Sequence, residues 1–359
     1  MRQRLVVLTP NDPDSAGGQE RFTRILTAAL ASRGWEIEIF WARPEDFDAG
    51  PLDRTGVSGA MGAWRLARRR AREIAAADAV LANGVMGWPV HHPRKVVVFH
   101  GNYGGYAQAI RASISRAEYL RLRWVYGGFM AVGGARGIAV EVSQKAAAEI
   151  RRLYGLSHVI VIENGVEPGS FAGGDADAAR ERHALPDGPI LLFSGRVEYR
   201  KGADVLERLA RRVPDGATLV VAGPRLLELP GVVNLGHTPP EHLRDLYAAA
   251  TLSLQPTRHE GSSFALIEAQ DARLPLVTCN EGHVPEMLER EPRLAPTVVD
   301  SLDGDAFLNR VGELLRDPAT AAELAEIGVR YVRRHHNAET MADRYHVLLS
   351  GGGHWRRSR

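Results

Sequence analysis

The sequence predicts an α/β protein made of two doubly wound domains, each a parallel sheet covered by helices. Apolar runs of strand length alternate with longer helical patterns along the chain. The chain has 359 residues, which is more than one hydrophobic core usually supports. A segment rich in glycine, aspartate and alanine, residues 167–188, interrupts the alternation. Such a composition is typical of a linker or a domain boundary.

Each half of the chain contains six candidate strands. We therefore expect one domain over residues 1–168 and a second over residues 187–336. Ligands of doubly wound sheets bind beyond the carboxyl ends of the strands, so functional side chains are expected there. The first six strands are predicted at 5–9, 35–42, 77–84, 95–101, 137–143 and 158–165, with helices at about 19–33, 58–77, 106–134 and 143–154. The second six are predicted at 190–195, 217–223, 232–236, 251–256, 275–279 and 297–300, with helices between them and over about 303–349.

Composition excludes several classes of protein. A net charge of +2 gives no reason to expect a nucleic-acid partner. The single cysteine, Cys279, excludes an internal disulfide and fits a reducing cytosol. No segment reaches the roughly 20 apolar residues that a membrane-spanning helix needs. The first residues indicate a strand and are too short in their apolar part for a signal peptide. A cytoplasmic location is therefore expected.

The first loop, between the first strand and the first helix, carries Gly17 and Gly18. Glycines at a helix amino terminus let an anion approach the backbone amides. The spacing is not the G-x-G-x-x-G fingerprint, which argues against a dinucleotide dehydrogenase. The chain also has four Asp-x-Asp pairs, Asp12 and Asp14 among them. Aspartate is common in turns and helix starts, so no metal site is expected from these pairs.

A more specific pattern opens the second domain. In ILLFSGRVEYRKGADVL, Gly195 and Arg196 follow a strand, and Lys201 and Gly202 precede a helix. The chain has only two other lysines. A cation is unfavourable at the positive end of a helix dipole, unless an anion binds between the two. Arg196 and Lys201 are therefore interpreted as ligands of a diphosphate, although a solvated helix start is the alternative.

The stretch RHEGSSFALIEAQ carries Glu260 and Glu268, eight residues apart, on either side of small residues at a helix start. Gly261, Ser262 and Ser263 leave the first-turn amide groups accessible to phosphate oxygens. The Glu268 carboxylate can accept two hydroxyl hydrogen bonds, as from a ribose, and Glu260 can reach the other end of the same ligand. Without these neighbours, Glu268 would be interpreted as a surface carboxylate.

Taken together, these segments resemble the retaining GT-B glycosyltransferases of family 4. The resemblance covers nearly the whole chain, through GGQERFTRILTAALASRGWEIEIF, VSQKAAAEIRRLYG, VIVIENGVEPGSF, GRVEYRKGADVL, EGSSFALIEA and PLVTCNEGHVPEML. It implies a GT-B architecture, with two Rossmann-like domains facing across a cleft. The first domain would bind the acceptor and the second the nucleotide sugar. A C-terminal helix, about 337–350, would pack back on the first domain.

The resemblance also implies roles for individual residues. Arg196 and Lys201 match the cations that hold the donor diphosphate, and Glu268 matches the carboxylate bound to the ribose. Glu260 matches the glutamate near the transferred sugar, and His100 matches a histidine that points toward that sugar. The remaining donor-binding candidates match glycines and helix-start amides: Gly18, Gly195, Gly261, Ser262, Ser263 and Phe264. No cofactor or metal is implied beyond the nucleoside-diphosphate sugar itself, and the acceptor is a hydroxyl compound of unknown kind.

One residue departs from the family pattern, and two alternatives to a glycosyltransferase are considered. In EGHVPE, His283 stands where many relatives have a small residue, which puts the contacts to the donor sugar in doubt. A sugar-nucleotide 2-epimerase shares the architecture and is the alternative enzyme. A nucleotide-sugar-binding subunit without catalysis is disfavoured by Arg196, Lys201 and the two glutamates.

An arginine-rich stretch, GAWRLARRRAREI at 62–74, also carries Trp64, Leu66 and Ile74 on a helical pattern. Such a helix could lie on anionic lipid at the inner face of a membrane. The alternative is a solvated arginine-rich face.

Overall fold

The computed structural model describes residues 3–15, 17–47, 58–214, 216–300 and 302–351. The chain divides into two compact units. Unit 1 comprises Met1–Asn164 with the C-terminal segment from Ala338, and unit 2 comprises Gly165–Asn337. Each unit contains one parallel six-stranded sheet, which confirms the predicted fold class.

The sheet of unit 1 has the strand order β2-β1-β3-β4-β5-β6. Its central strands are buried on both faces, as expected for a parallel sheet covered by helices. The strands are β1 Gln3–Thr9, β2 Trp35–Trp41, β3 Ala79–Asn83, β4 Lys95–Phe99, β5 Ile138–Glu141 and β6 Val159–Val161. The helices are α1 Gly18–Ser32, α2 Pro44–Phe47, α3 Ser58–Arg69, α4 Ala71–Ala76, α5 Tyr103–Ala109, α6 Arg116–Leu120, α7 Gly127–Ala135 and α8 Gln144–Tyr154.

The helix predicted over 106–134 is interrupted between α5 and α6. Asn102 caps α5 by accepting a hydrogen bond from the amide of Gly105 at 2.7 Å. Ser115 caps α6 by accepting from the amide of Glu118 at 3.1 Å. Between α6 and α7 the chain forms a π-helical turn, Arg121–Tyr126. Each capping side chain gives the backbone a local partner at a helix start, and Ser115 thereby begins a new helix after α5.

The sheet of unit 2 has the strand order β12-β11-β10-β7-β8-β9. Its strands are β7 Ile190–Ser194, β8 Thr218–Ala222, β9 Val232–Gly236, β10 Leu252–Gln255, β11 Leu276–Cys279 and β12 Val298–Val299. Its helices are α9 Ala176–His183, α10 Ala203–Ala210, α11 Pro240–Ala249, α12 Phe264–Asp271, α13 Val284–Arg290, α14 Gly304–Arg316 and α15 Pro318–His335.

The segment predicted as a linker, 167–188, is part of unit 2 and contains α9. Asp175 caps this helix by accepting from the amide of Ala178 at 2.9 Å. Ala179 is fully buried in the core that also contains Leu185 and Tyr247. The composition of the segment suggested a loop because its few apolar residues are small or widely spaced.

The C-terminal helix, α16 Ala338–Leu349, belongs to unit 1 and packs on α1. The ring of Tyr345 lies against the ring of Phe22, with centroids 5.6 Å apart. Arg33 pairs with two carboxylates of α16, Glu339 and Asp343, at 2.7 Å each. An apolar contact flanked by ion pairs thus fixes the end of the chain to the first helix.

Candidate functional site

Two loops meet at the carboxyl edge of the unit 2 sheet, one after β7 and one after β10. The amide of Arg258 donates a hydrogen bond to the carbonyl of Arg200 at 2.8 Å. Gly202 has φ 78°, and a β-carbon there would lie 1.9 Å from the carbonyl oxygen of Pro256. Only glycine allows this approach. The two loops therefore touch through their backbones, which brings together residues 60 positions apart.

Lys201 and Glu260 form an ion pair across this junction. Sequence reasoning assigned both to the donor site, and the structure places their charged groups in contact. Each side chain is about 15% exposed. A third residue, Arg200, also reaches the Glu260 carboxylate, with Nη1 3.2 Å from Oε2. Its opposite edge donates to Glu198 Oε1 at 2.7 Å. Lys201, Arg200, Glu198 and Glu260 thus form the charged cluster of the site.

The cluster determines the ionisation of its members. Burial alone would raise the pKa of Glu260, but Lys201 and Arg200 outweigh burial and lower that pKa to about 2. Burial lowers the pKa of Lys201 from its usual value, against the attraction of Glu260. Glu260 is therefore ionised at neutral pH. Its charge compensates the Lys201 ammonium.

Sequence reasoning missed Arg200. The available signal was its position beside Lys201 in the sequence YRKG, but adjacency alone does not show where its side chain points. The guanidinium also donates to the carbonyl of His259 at 3.2 Å. Arg200 therefore contacts the second loop at both its backbone and its carboxylate.

Arg196, the other predicted diphosphate ligand, is solvent-exposed and forms no ion pair within the described part of the chain. It follows Gly195, whose amide donates to the carbonyl of Ala222 at 2.9 Å. A β-carbon on Gly223 would lie 1.9 Å from the carbonyl oxygen of Gly195. The backbone before Arg196 is thus packed closely against β8 while the guanidinium remains accessible.

Glu268 lies on α12 and is 2% exposed, so the alternative of a surface carboxylate is wrong. The Tyr247 hydroxyl donates to its Oε2 at 3.0 Å. The Tyr247 oxygen in turn lies 2.9 Å from the Ser194 hydroxyl oxygen. Tyr247 and Ser194 were not predicted, because nothing in the sequence indicates that α11 and β7 meet at Glu268. The three residues form a buried hydrogen-bonded row at the end of β7.

Ser263 is the amino-terminal cap of α12. Its hydroxyl caps no amide, and it has no partner within the described residues, although Ser263 is only 7% exposed. A buried hydroxyl without a partner is costly, so a polar group that approaches the helix start would be favoured there. Gly261 and Ser262 precede Ser263, and Phe264 begins the helix. The small residues predicted to leave the amides accessible are thus at the helix start.

His283, the departure from the family pattern, packs on the same loop. Its Nδ1 lies 3.1 Å from the Ser262 hydroxyl. A β-carbon on the preceding residue, Gly282, would lie 3.0 Å from the carbonyl oxygen of Gly261. Burial and the neighbouring His336 lower the pKa of His283 well below its usual value. The imidazole is therefore neutral at neutral pH and holds the Ser262 hydroxyl in place.

The predicted residues of unit 1 lie at the carboxyl edge of its own sheet. His100 follows β4, and its Nε2 lies 3.2 Å from Oδ1 of Asn83, the last residue of β3. Its ring contacts the ring of Phe22 edge-on, with centroids 4.6 Å apart. Gly18 is the first residue of α1. These contacts orient the His100 ring from one side.

The arginine-rich stretch 62–74 does not present the predicted lipid-facing apolar side. Leu66 and Ile74 are 1% and 6% exposed and belong to the core of unit 1, because α3 and α4 cover its sheet. Arg69 pairs with the buried Asp46 through two hydrogen bonds of 2.6 and 2.7 Å. Trp64 alone of the three apolar residues is exposed, at 39%.

Comparison with known proteins finds a family model for each half of the chain. A family model described as Glycosyltransferase Family 4 matches residues 16–170, and one described as Glycosyl transferases group 1 matches residues 188–317. The chain is 29% identical to the D-inositol 3-phosphate glycosyltransferase of Xylanimonas cellulosilytica over 86% of each chain. It is 31% identical to the GDP-mannose-dependent alpha-(1-6)-phosphatidylinositol monomannoside mannosyltransferase of Mycolicibacterium smegmatis, over 61% of this chain and 64% of the relative.

The fold is also that of solved glycosyltransferases. Sucrose-phosphate synthase from Thermosynechococcus elongatus superposes with a TM-score of 0.79 at 21% identity, covering 98% of this chain and 99% of the other. The relatives are named as glycosyltransferases, and they give no support to the epimerase alternative. The two family models together span most of both units. The chain is a glycosyltransferase and belongs to family 4, the glycosyl transferases group 1, with the GT-B type of fold.

Proposed function

We propose that the protein transfers a sugar from a nucleoside-diphosphate sugar to an acceptor hydroxyl, with retention at the anomeric carbon and without a metal ion. The observation that carries the proposal is the charged cluster of Lys201, Arg200, Glu198 and Glu260 in the loops beside β7 and β10. One relative is named for its dependence on GDP-mannose. That name supports a nucleoside-diphosphate sugar as the donor class.

The donor diphosphate would lie against Lys201 and the exposed Arg196. Oxygen atoms of the phosphates would accept hydrogen bonds from the first amides of α12 and from the hydroxyl of Ser263. An anion at this position is favoured by the helix dipole and by the accessible amides. Lys201 is only 15% exposed, so its charge would act on the phosphate with little screening by water. Glu268 would accept hydrogen bonds from the ribose hydroxyls.

The reaction would break the bond between the anomeric carbon and the leaving phosphate oxygen, and the bonding electrons would pass to the diphosphate. Lys201 and Arg196 would stabilise the charge that develops there, an effect of about 3 kcal/mol for each well-placed donor. The acceptor oxygen would bond to the anomeric carbon. Its proton would pass to the leaving phosphate in a front-face attack. Alternatively, Glu260 would act as nucleophile in a double displacement.

For unit 1, we propose that Gly18 and His100 serve the acceptor and the transferred sugar. One relative is named for transfer to D-inositol 3-phosphate. A polyol phosphate is therefore the acceptor class to test first.

The proposal is tested in two steps. Thermal unfolding is first measured with uridine, guanosine and adenosine diphosphates, because a ligand that binds only the native protein stabilises it by about 2.7 kcal/mol at a hundredfold excess over Kd. The preferred nucleotide is then supplied as a panel of its sugars, with and without D-inositol 3-phosphate. Product configuration is read by NMR.

We expect one nucleotide to raise the unfolding temperature and the product to keep the donor's anomeric configuration. An inverted product would refute retention. Conversion of the donor without an acceptor would favour the epimerase. If no diphosphate stabilises the protein, the donor site itself is wrongly assigned.

A further inference from the structure

Exposed apolar side chains are concentrated in one segment of unit 1. Within the described chain, eight large apolar side chains are exposed, and four of them lie between residues 120 and 132. Trp124 is the most exposed of the eight, at 56%. Single exposed apolar residues are normal on a protein surface, whereas a contiguous group indicates an interaction site. The four are Leu120, Trp124, Val125 and Val132.

The backbone explains why these residues point outward. The opposite side of the segment is packed into unit 1, where Leu122 and Met130 are buried. A β-carbon on Gly134 would lie 3.2 Å from the ring of Phe99. An outward stripe runs along α6, the π-helical turn and α7 at intervals of four residues, through positions 120, 124, 128 and 132. Gly128 belongs to this outward stripe, since a β-carbon there would meet no atom within 4 Å.

The surroundings of the stripe are basic. Residues 111–136 contain five arginines and one glutamate, and that glutamate, Glu118, pairs with Arg121. The guanidinium of Arg123 lies 5.1 Å from the ring centroid of Trp124 and 5.9 Å from that of Tyr119. Arg111 lies 5.1 Å from the Tyr119 ring. Arginine and aromatic side chains are thus interleaved.

We propose that this aromatic-basic face, Tyr119, Leu120, Trp124, Val125 and Val132 with Arg111 and Arg123, docks on the surface of an anionic lipid membrane. Trp and Tyr favour the boundary between headgroups and acyl chains because one part of each ring system is polar and the rest apolar. The arginines would pair with lipid phosphates. A second copy of this face is a poor occupant, because both copies would bring the same excess of positive charge.

Docking of this kind would be peripheral. No helix of the described residues is long and apolar enough to cross a bilayer. The location also differs from the stretch 62–74, where the sequence predicted a membrane contact and where the structure buries two of the three apolar residues. The inference goes beyond the proposed sugar transfer and does not depend on it, since lipid binding is measured without donor or acceptor.

The test is co-sedimentation with vesicles of phosphatidylcholine alone and with about a third phosphatidylglycerol. Trp124→Ala is compared with Trp64→Ala, a matched change of an exposed tryptophan that also lies near an arginine, Arg68. Both variants are checked by thermal unfolding, and little change is expected because the side chains are exposed. We expect the wild-type protein to bind the anionic vesicles and to dissociate as salt is raised.

Trp124→Ala should lower the vesicle partition coefficient at least tenfold, and Arg123→Gln about fivefold. Trp64→Ala should bind like the wild-type protein. The inference is overturned if the wild-type protein ignores anionic vesicles, or if it binds neutral vesicles equally well. It is also overturned if Trp124→Ala binds the anionic vesicles normally. A further contradicting result is that sedimentation shows no vesicle binding but a dimer that Trp124→Ala dissociates.

Discussion

Replacing Arg200 with methionine is predicted to release the Glu260 carboxylate from one of its two cations without unfolding the protein. Methionine keeps much of the length and apolar stem of arginine but none of its hydrogen bonds. The ion pair of Glu260 with Lys201 remains. Glu198 loses the guanidinium that lies 2.7 Å from it. The substitution therefore separates the effect of Arg200 from the effect of losing the whole cluster.

The expected magnitude follows from the ionisation of Glu260. Its pKa falls from 4.5 to about 2, which corresponds to about 3 kcal/mol of stability. Because Lys201 supplies the larger share, losing Arg200 should remove about 1 kcal/mol through Glu260. Loss of the charged hydrogen bond to Glu198 should remove a similar amount. We expect the free energy of unfolding at pH 7 to fall by about 2 kcal/mol.

The dependence on pH has a defined sign. A carboxylate whose pKa is lowered in the folded protein stabilises it above pH 4.5, and this stabilisation is lost as the pH falls toward 2. Without Arg200 the folded pKa of Glu260 is higher, so less stability is lost on acidification. The difference in the free energy of unfolding between wild type and Arg200→Met should therefore be smaller at pH 3 than at pH 7.

The assay is urea unfolding at pH 7 and pH 3, followed by donor kinetics. Arg212→Met is the matched control, because Arg212 pairs with Asp305 at the surface and is 61% exposed. Such a pair is worth little, and its loss should change stability by less than about 0.5 kcal/mol. For Arg200→Met we also expect a higher KM for the donor, partly restored in Arg200→Lys. If Arg200→Met unfolds like the control at pH 7, the charged cluster does not hold Glu260 as argued.

Three further predictions concern the donor, the metal and a buried acid. Arg196→Ala should lower kcat/KM about a hundredfold and leave the urea midpoint unchanged, because the side chain is exposed. A fall in stability large enough to explain the loss of activity would contradict its role as a phosphate ligand. Activity should survive EDTA, and a complete loss that Mg²⁺ or Mn²⁺ restores would refute metal-free transfer. Glu141 is fully buried, and burial raises its pKa well above 4.5, so its contribution to stability is present below pH 4.5 and is lost as the pH rises. Glu141→Gln should therefore gain stability relative to wild type between pH 4.5 and pH 8, and urea unfolding that shows no such gain would mean that the carboxyl is ionised in the folded protein.

The sequence predicted the strands well because parallel strands buried on both faces are continuous apolar runs. KVVVF and ILLFS are examples that the structure places at the centre of each sheet. The helix break between α5 and α6 was harder to predict. Apolar and small residues continue through this region, and a new helix starts where Ser115 caps α6.

The candidate site could be predicted only in part. Motif spacing gave Lys201, Glu260 and Glu268 as candidates, since glycine-rich helix starts and isolated charges are visible in the sequence alone. The partners of these residues come from elsewhere in the chain. Tyr247 reaches Glu268 from α11, and His283 reaches Ser262 from the loop before α13. Such pairings depend on which strands become neighbours, and no local pattern specifies that order.

The backbone contact at Gly202 limits which substitutions this enzyme can accept. Since a β-carbon at 202 would lie 1.9 Å from the carbonyl oxygen of Pro256, any side chain there would push the two loops apart while leaving every charged residue unchanged. The ion pair between Lys201 and Glu260 therefore depends on a residue that carries no charge, and even Gly202→Ala should draw the two charged groups apart.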